Sequence, residues 1–163
     1  MMLFMTQTKG RVKTLVIGPE AKKALVEVGA VTAVAGRGLE GDRYFDGRGS
    51  FNAPQFDQGV REVTLIAAEA IAECNGRLGT SLSAADFRRN IVTEGIEFAE
   101  LKGKRFRIGG ALCRFVRTAP PCRYLSRLLG EDMMAGLKGI GGIRAVIESG
   151  GRIAVGDEID VLP

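Results

Sequence analysis

One thiol lies in the run Ala119-Pro120-Pro121-Cys122-Arg123-Tyr124-Leu125, between a stiff diproline and an amphipathic segment. Proline fixes φ, lacks a backbone donor and pushes the preceding residue into extended geometry, so the approach to Cys122 is expected to be a rigid, non-helical arm. Apolar residues at 124, 125, 128 and 129 then fit one face of a two-turn helix over 123–129. The free N–H groups of its first turn, with Arg117, Arg123 and Arg127 nearby in sequence, would favour thiolate over thiol. Cys122 is therefore a candidate nucleophile. The competing reading is that of most free cysteines, a small buried hydrophobe.

Cys74 falls in a helix-like run and Cys113 in an alternating strand-like run, and both are expected to be packing residues. Three cysteines without a CxxC spacing give neither a disulfide framework nor a zinc pattern. The apolar start, Met1 to Met5, is too short for a secretory or membrane segment, so a cytoplasmic setting is expected, with no membrane partner. Residues 1–8 read as a flexible N-terminal extension to a single domain over 1–163.

The chain has no histidine, which excludes self-contained Ser-His-Asp or Cys-His catalysis, imidazole bases and His-rich zinc sites. Chemistry must rest on cysteine, carboxylates, basic groups or a borrowed cofactor. The carboxylate pairs Glu40/Asp42 and Asp157/Glu158 read more simply as turn or solvated residues than as an acid/base pair.

A net charge of +4 conceals a local excess. Between Arg88 and Arg127 ten Lys/Arg face three acids, whereas the rest of the chain has thirteen against sixteen. A basic surface of this kind favours phosphate esters, carboxylates or nucleic acid. Arg105, Arg107, Arg114 and Arg117 are expected to line the solvated face of a hairpin. Arg88-Arg89-Asn90 is different, because it follows a short helix signal and enters a strand. If that strand begins at or before Arg88, Arg88 and Asn90 share one side and Arg89 points the other way, giving a guanidinium fork and an amide suited to phosphate.

The elements that must position these groups are short. There are 23 glycines among 163 residues, roughly twice the usual share of ~7%, and they punctuate Val/Ile/Leu/Phe-rich runs. Strands are predicted at 11–17, 26–34, 62–66, 90–93, 104–108, 111–117, 143–148, 152–155 and 158–161. Helices are predicted at 67–78, 84–88 and 123–129, with a turn near 133–137. Gly109-Gly110 and Gly150-Gly151 are expected to join antiparallel strands, with Phe106, Ile108, Leu112, Val146 and Ile153 in a shared core. The glycine-rich stretch 36–60 reads as an ordered functional loop or mobile lid. The class is mainly β with a few short helices.

Taken in order, Gly38-Leu39-Glu40-Gly41-Asp42-Arg43-Tyr44, Arg61-Glu62-Val63-Thr64-Leu65-Ile66, Asp86-Phe87-Arg88-Arg89-Asn90-Ile91, Pro121-Cys122, Gly142-Ile143-Arg144-Ala145-Val146 and Gly156-Asp157 resemble the MOSC family, the domains named for the C-terminal part of molybdenum-cofactor sulfurase. The resemblance spans nearly the entire chain and is to a stand-alone form. It implies a MOSC-type, pyruvate-kinase-insert-like β-barrel. It implies that Cys122 is a sulfur carrier or, in a cofactor-bearing form, a thiolate ligand to molybdenum. Arg88 and Asn90 would belong to a pterin-phosphate pocket, with Arg144 and the turn Gly41, Asp42 and Arg43 completing its wall. A molybdenum pterin cofactor is thus a possible ligand, whereas no self-contained pyridoxal-phosphate site is evident.

Three functions follow. The first is a sulfur carrier or sulfurtransferase accessory that charges Cys122 from a pyridoxal-phosphate-dependent cysteine desulfurase and delivers sulfur to a molybdenum pterin or molybdoenzyme. The second is a molybdenum-dependent oxidoreductase module acting on N-hydroxylated substrates, with electrons from a separate partner. The third is a basic barrel that binds nucleic acid, disfavoured because two tyrosines and no tryptophan make a poor stacking platform.

Overall fold

The computed structural model describes residues 9–20, 23–45, 62–121 and 123–163. The expectations for residues 1–8, for Arg61 and Cys122, and for 46–60 of the glycine-rich stretch lie outside the described residues. Among the described residues eleven strands run in the order β1 (Lys9–Ile17), β2 (Val26–Val28), β3 (Ala30–Val34), β4 (Gly38–Leu39), β5 (Val63–Ala67), β6 (Ile91–Glu94), β7 (Arg105–Ile108), β8 (Ala111–Thr118), β9 (Ile143–Ser149), β10 (Gly151–Ala154) and β11 (Glu158–Val161). Three helices accompany them: α1 (Ala68–Leu78), α2 (Arg123–Leu129) and α3 (Met133–Gly136).

Strands β11, β7, β8, β9, β5, β6 and β1 pair in that order, and β11 pairs back onto β1, closing a seven-stranded barrel with β2 added outside β1. A second sheet, β10-β3-β4, stands beside it. The mainly β class is as the sequence predicts. Strands β5 and β6 are parallel, so a crossover must join them, and it contains α1.

The period of two along the strands separates two apolar layers. Val63, Leu65, Ile91, Ile143, Ala145 and Ile147 fill the barrel with Phe106 and Ile108. Ile66 and Val92 point outward from β5 and β6 and pack with Phe87, Ala70, Cys74, Leu125 and Met133 in a layer under the helices. Gly136 belongs to that layer because a Cβ there would lie 2.8 Å from the Cys74 sulfur. Arg105, Arg107, Arg114 and Arg117 are exposed, as the hairpin reading requires.

Several expectations need correction. The predicted strand over 26–34 is two strands in two sheets, broken at Gly29. Gly109-Gly110 does join antiparallel β7 and β8, with Ile108 opposite Ala111. Gly150-Gly151 does not make a hairpin, because β10 leaves the barrel to pair with β3. A Cβ at Gly150 would strike the Ala33 carbonyl and one at Gly151 the Gly110 carbonyl, so close backbone approach explains these glycines. Phe106, Ile108 and Ile153 are buried, but Leu112 and Val146 are only half-buried, the inward phase on β8 and β9 falling on Ala111, Cys113, Ala145 and Ile147. A register shift between Leu112 and Cys113 sets Cys113 opposite Ile147. The stretch from Gly36 is not wholly loop, since Gly38–Leu39 pairs with β3 and Leu39 is buried.

Glu62 is a buried carboxylate whose Oε1 accepts the Ile147 N–H at 2.8 Å, tying β9 to the start of β5. Burial raises its carboxyl above the ordinary value near 4.5, against the opposing pull of the Ile147 and Gly36 amides and Arg114. A raised folded-state value means that the native protein holds the proton more tightly, so stability should fall as pH climbs from about 4.5 through the raised value. Glu62→Gln keeps an acceptor and removes the titration. Its thermal midpoint should fall less over that range than that of the parent, while Asp42, also raised by burial, keeps part of the slope. Identical slopes in calorimetric melts would contradict this.

Candidate anion-binding site beside the Cys122 arm

Four arginines converge on one small pocket outside the barrel. Arg43, Arg88, Arg89 and Arg144 line it with Tyr44, Thr64, Phe87, Asn90, Tyr124 and Leu125, enclosing about 70 Å³. Among the described residues, none that lines it is acidic.

Each side chain arrives by a separate local device. Arg144 follows Ile143 on β9, so alternation sends it outward while Ile143 and Ala145 face the core; it pairs opposite Thr64 of β5 and is buried. Arg43 sits in a tight turn after Gly41, whose φ of +87° suits glycine. Asp42 is fully buried behind it, accepting from Gly18 N–H at 2.9 Å and from Arg43 at 3.3 Å. Burial raises the Asp42 carboxyl, partly offset by the Gly18 amide and Arg43. Gly41 and Asp42 thus position Arg43 and do not line the pocket.

Phe87 ends a 3-10 turn, Ala84–Phe87, held at its start by a reciprocal Ser83/Asp86 capping box. Arg88 caps it at φ +59°, the left-handed region, and β6 begins only at Ile91. The strand geometry expected for Arg88 and Asn90 is therefore absent. All three residues of Arg88-Arg89-Asn90 reach the pocket, through a bend and not through alternation. Arg88 donates to the Lys23 carbonyl, and its guanidinium lies 5.9 Å from the Tyr124 ring centre. Burial and the neighbouring Arg43 lower its pKa from the usual arginine value. Two guanidinium groups so close favour an anion between them.

Asn90 is buried, and its amide is engaged structurally. Its Oδ1 accepts from Thr64 N–H at 3.1 Å, and its Nδ2 donates to the Val16 carbonyl at 3.1 Å, joining β5 and β1. Arg89 was expected to point away. Instead its Nε donates to the Gly141 carbonyl at 3.0 Å, and its NH2 group donates to Ala119 at 3.2 Å and Pro120 at 3.4 Å. One planar fork thereby ties the turn before β9 to the arm that precedes Cys122. The Ala119 N–H donates to the Gly142 carbonyl at 2.8 Å, adding a second tie.

The arm continues through Pro121, and α2 begins at Arg123, placing Tyr124 and Leu125 on the pocket wall. Arg117, Arg123 and Arg127 are exposed and do not line it. The sequence reading thus named Arg43, Arg88, Asn90 and Arg144 but missed Arg89, Thr64 and the role of Tyr124. A readable signal existed in Ser83-x-x-Asp86, which starts a turn too close to Arg88 for a strand to begin there.

Cys74 and Cys113 are buried, as expected. Burial raises both thiols, Cys113 to about 12 with Glu62 and Glu148 adding to the shift. Among the described residues no group of three or more His, Cys, Asp or Glu side chains is placed to hold a metal ion, and no helix is long and apolar enough to cross a membrane.

Solved structures share this architecture. The YuaD protein from Bacillus subtilis matches with a TM-score of 0.80 at 19% identity, over 96% of this chain and 97% of that one. YiiM from Geobacillus stearothermophilus matches at 0.68 and 15% identity, covering 94% and 75%. YiiM from Escherichia coli matches at 0.66 and 17%, covering 94% and 70%. No curated protein sequence matches the chain. The MOSC domain model matches residues 52–160, which include β5 through β10, the 3-10 turn with its arginines and the Cys122 arm; with that match the chain belongs to the MOSC domain family.

Proposed function

We propose that this chain is a sulfur carrier of molybdenum-cofactor or metal-sulfur metabolism, in which Cys122 holds a persulfide and the arginine pocket holds a phosphate group of the acceptor. The observation that carries this reading is the convergence of Arg43, Arg88, Arg89 and Arg144, with no acid among them, on a pocket walled by the second and third residues after Cys122. A small, arginine-lined pocket suits the phosphate end of such a ligand. Arginine forks give charge-assisted, bidentate bonds to phosphate oxygens. A molybdenum pterin, when bound, supplies a soft metal centre that takes sulfur or thiolate.

In the loading step the Cys122 thiolate attacks the outer sulfur of a donor persulfide, such as that of a cysteine desulfurase. A new S–S bond forms to Cys122, the donor S–S bond breaks, and the donor leaves as thiolate with the bonding pair. The Cys122 proton passes to solvent beforehand, and no external oxidant is needed. No histidine is required.

Two measurements test this. Under limiting iodoacetamide near neutral pH, Cys122 should be alkylated well before Cys74 and Cys113, whose thiols burial holds protonated. Protein prepared without reductant should carry the mass of one extra sulfur, absent from Cys122→Ser. Labelling of Cys122 no faster than of the buried pair would overturn the carrier reading, and a stoichiometric molybdenum content without extra sulfur would replace it with the oxidoreductase one.

A further inference from the structure

A second cavity has the opposite chemistry. Where β5 and β6 end and β9 begins, the barrel opens into a cavity of about 940 Å³. Its floor is the exposed end of the barrel core: Ile96 and Ile143 are buried members of that core, and Phe98 and Phe115 pack against it half-buried. Among the described residues its charged lining is Glu69 and Glu73 of α1, Glu97 and one cation, Lys102.

In a chain of net charge +4, three carboxylates against one ammonium mark this mouth as locally negative. Glu69 also accepts the Gly95 N–H at 2.9 Å, which fixes it at the rim. Glu73 faces Arg77 at 3.4 Å across an exposed helix turn, a pairing worth little in water. The volume matches drug-sized ligands, and barrel mouths are recurrent ligand sites. Apolar depth with anionic edges selects for one kind of guest: a body that leaves water and a positive end that stays near the carboxylates. Phe98 and Phe115 make that apolar depth partly aromatic.

We propose that the barrel mouth binds an organic cation with an aromatic or aliphatic body. This site is separate from the arginine pocket, and its existence does not depend on the sulfur-carrier reading. Ile143 and Arg144, consecutive on β9, line one cavity each.

The test uses three probes of one shape: naphthylmethylamine, naphthylmethanol and naphthoate, each followed by its own fluorescence anisotropy. The cation should bind about tenfold tighter than the anion, with the alcohol between them. Glu73→Gln and Glu97→Gln should each weaken the amine about threefold while leaving the alcohol unchanged. Ala99→Trp, at an exposed lining position, should block all three, and Arg88→Ala should block none. Naphthoate binding as tightly as the amine, or amine binding unmoved by both glutamine variants, overturns the proposal. Failure of all three probes to bind would overturn it equally.

Discussion

Arg89→Ala is expected to lower stability by about 2 kcal/mol and, with it, the labelling rate of Cys122. The substitution removes three charge-assisted bonds to the carbonyls of Gly141, Ala119 and Pro120. Each such bond contributes roughly 1.5–3 kcal/mol when sheltered, and the partial exposure of Arg89 reduces the sum. Arg89→Lys should recover only part, because a point donor cannot span two segments as a planar fork does. Arg88→Ala should behave differently. Its loss should weaken sulfate binding about tenfold while leaving the thermal midpoint nearly unchanged, since its side-chain hydrogen bond is to the carbonyl of exposed Lys23. Calorimetric titration with sulfate and thermal melts on the three variants separate the roles. A stable Arg89→Ala beside an unfolded Arg88→Ala would reverse the assignment.

Asn90→Ala should cost about 3 kcal/mol. Its amide bridges β5 and β1 beneath the pocket, and truncation leaves the Val16 carbonyl and the Thr64 N–H without that partner. Two buried groups left unsatisfied carry roughly 1–3 kcal/mol each. Asn90→Asp sharpens the test. It retains an acceptor for Thr64 but turns the donor facing Val16 into an oxygen, close to buried Asp42. At neutral pH it should be at least as damaging as alanine, and it should recover as pH falls and the new carboxyl regains a proton to donate. Urea denaturation at two pH values reads this directly; losses below about 1 kcal/mol for both variants would place Asn90 outside the framework.

Much of the barrel was legible because its signals are local. Alternation in Arg105–Ile108, the glycine pair after it and the helical period of Ala68–Leu78 each sit within a dozen residues. What failed was long-range. Nothing between Ser149 and Gly151 announces that the chain changes sheets there, because the cause is the approach of the Ala33 and Gly110 carbonyls from distant segments. The site was legible as a set of residue types and only partly as geometry. Arg88 stood out in the basic stretch, and Arg43 and Arg144 through the family resemblance, but the left-handed conformation of Arg88 has no sequence signature in a residue with a Cβ. That one bend redirected Arg89 from solvent to the arm.

The pairing of Leu65 with Ile143 and of Thr64 with Arg144 also bears on folding fidelity. A slip of one residue between β5 and β9 would turn a guanidinium into the hydrocarbon interior and leave an apolar side chain on the wall of the arginine pocket. Gly142 guards against the slip that would bring Ile143 into its place: at φ +100° it lies so close to the Leu65 carbonyl that a side chain there would collide. A chain misregistered in that way would lose the walls of both chambers in one step, because Ile143 lines one and Arg144 the other.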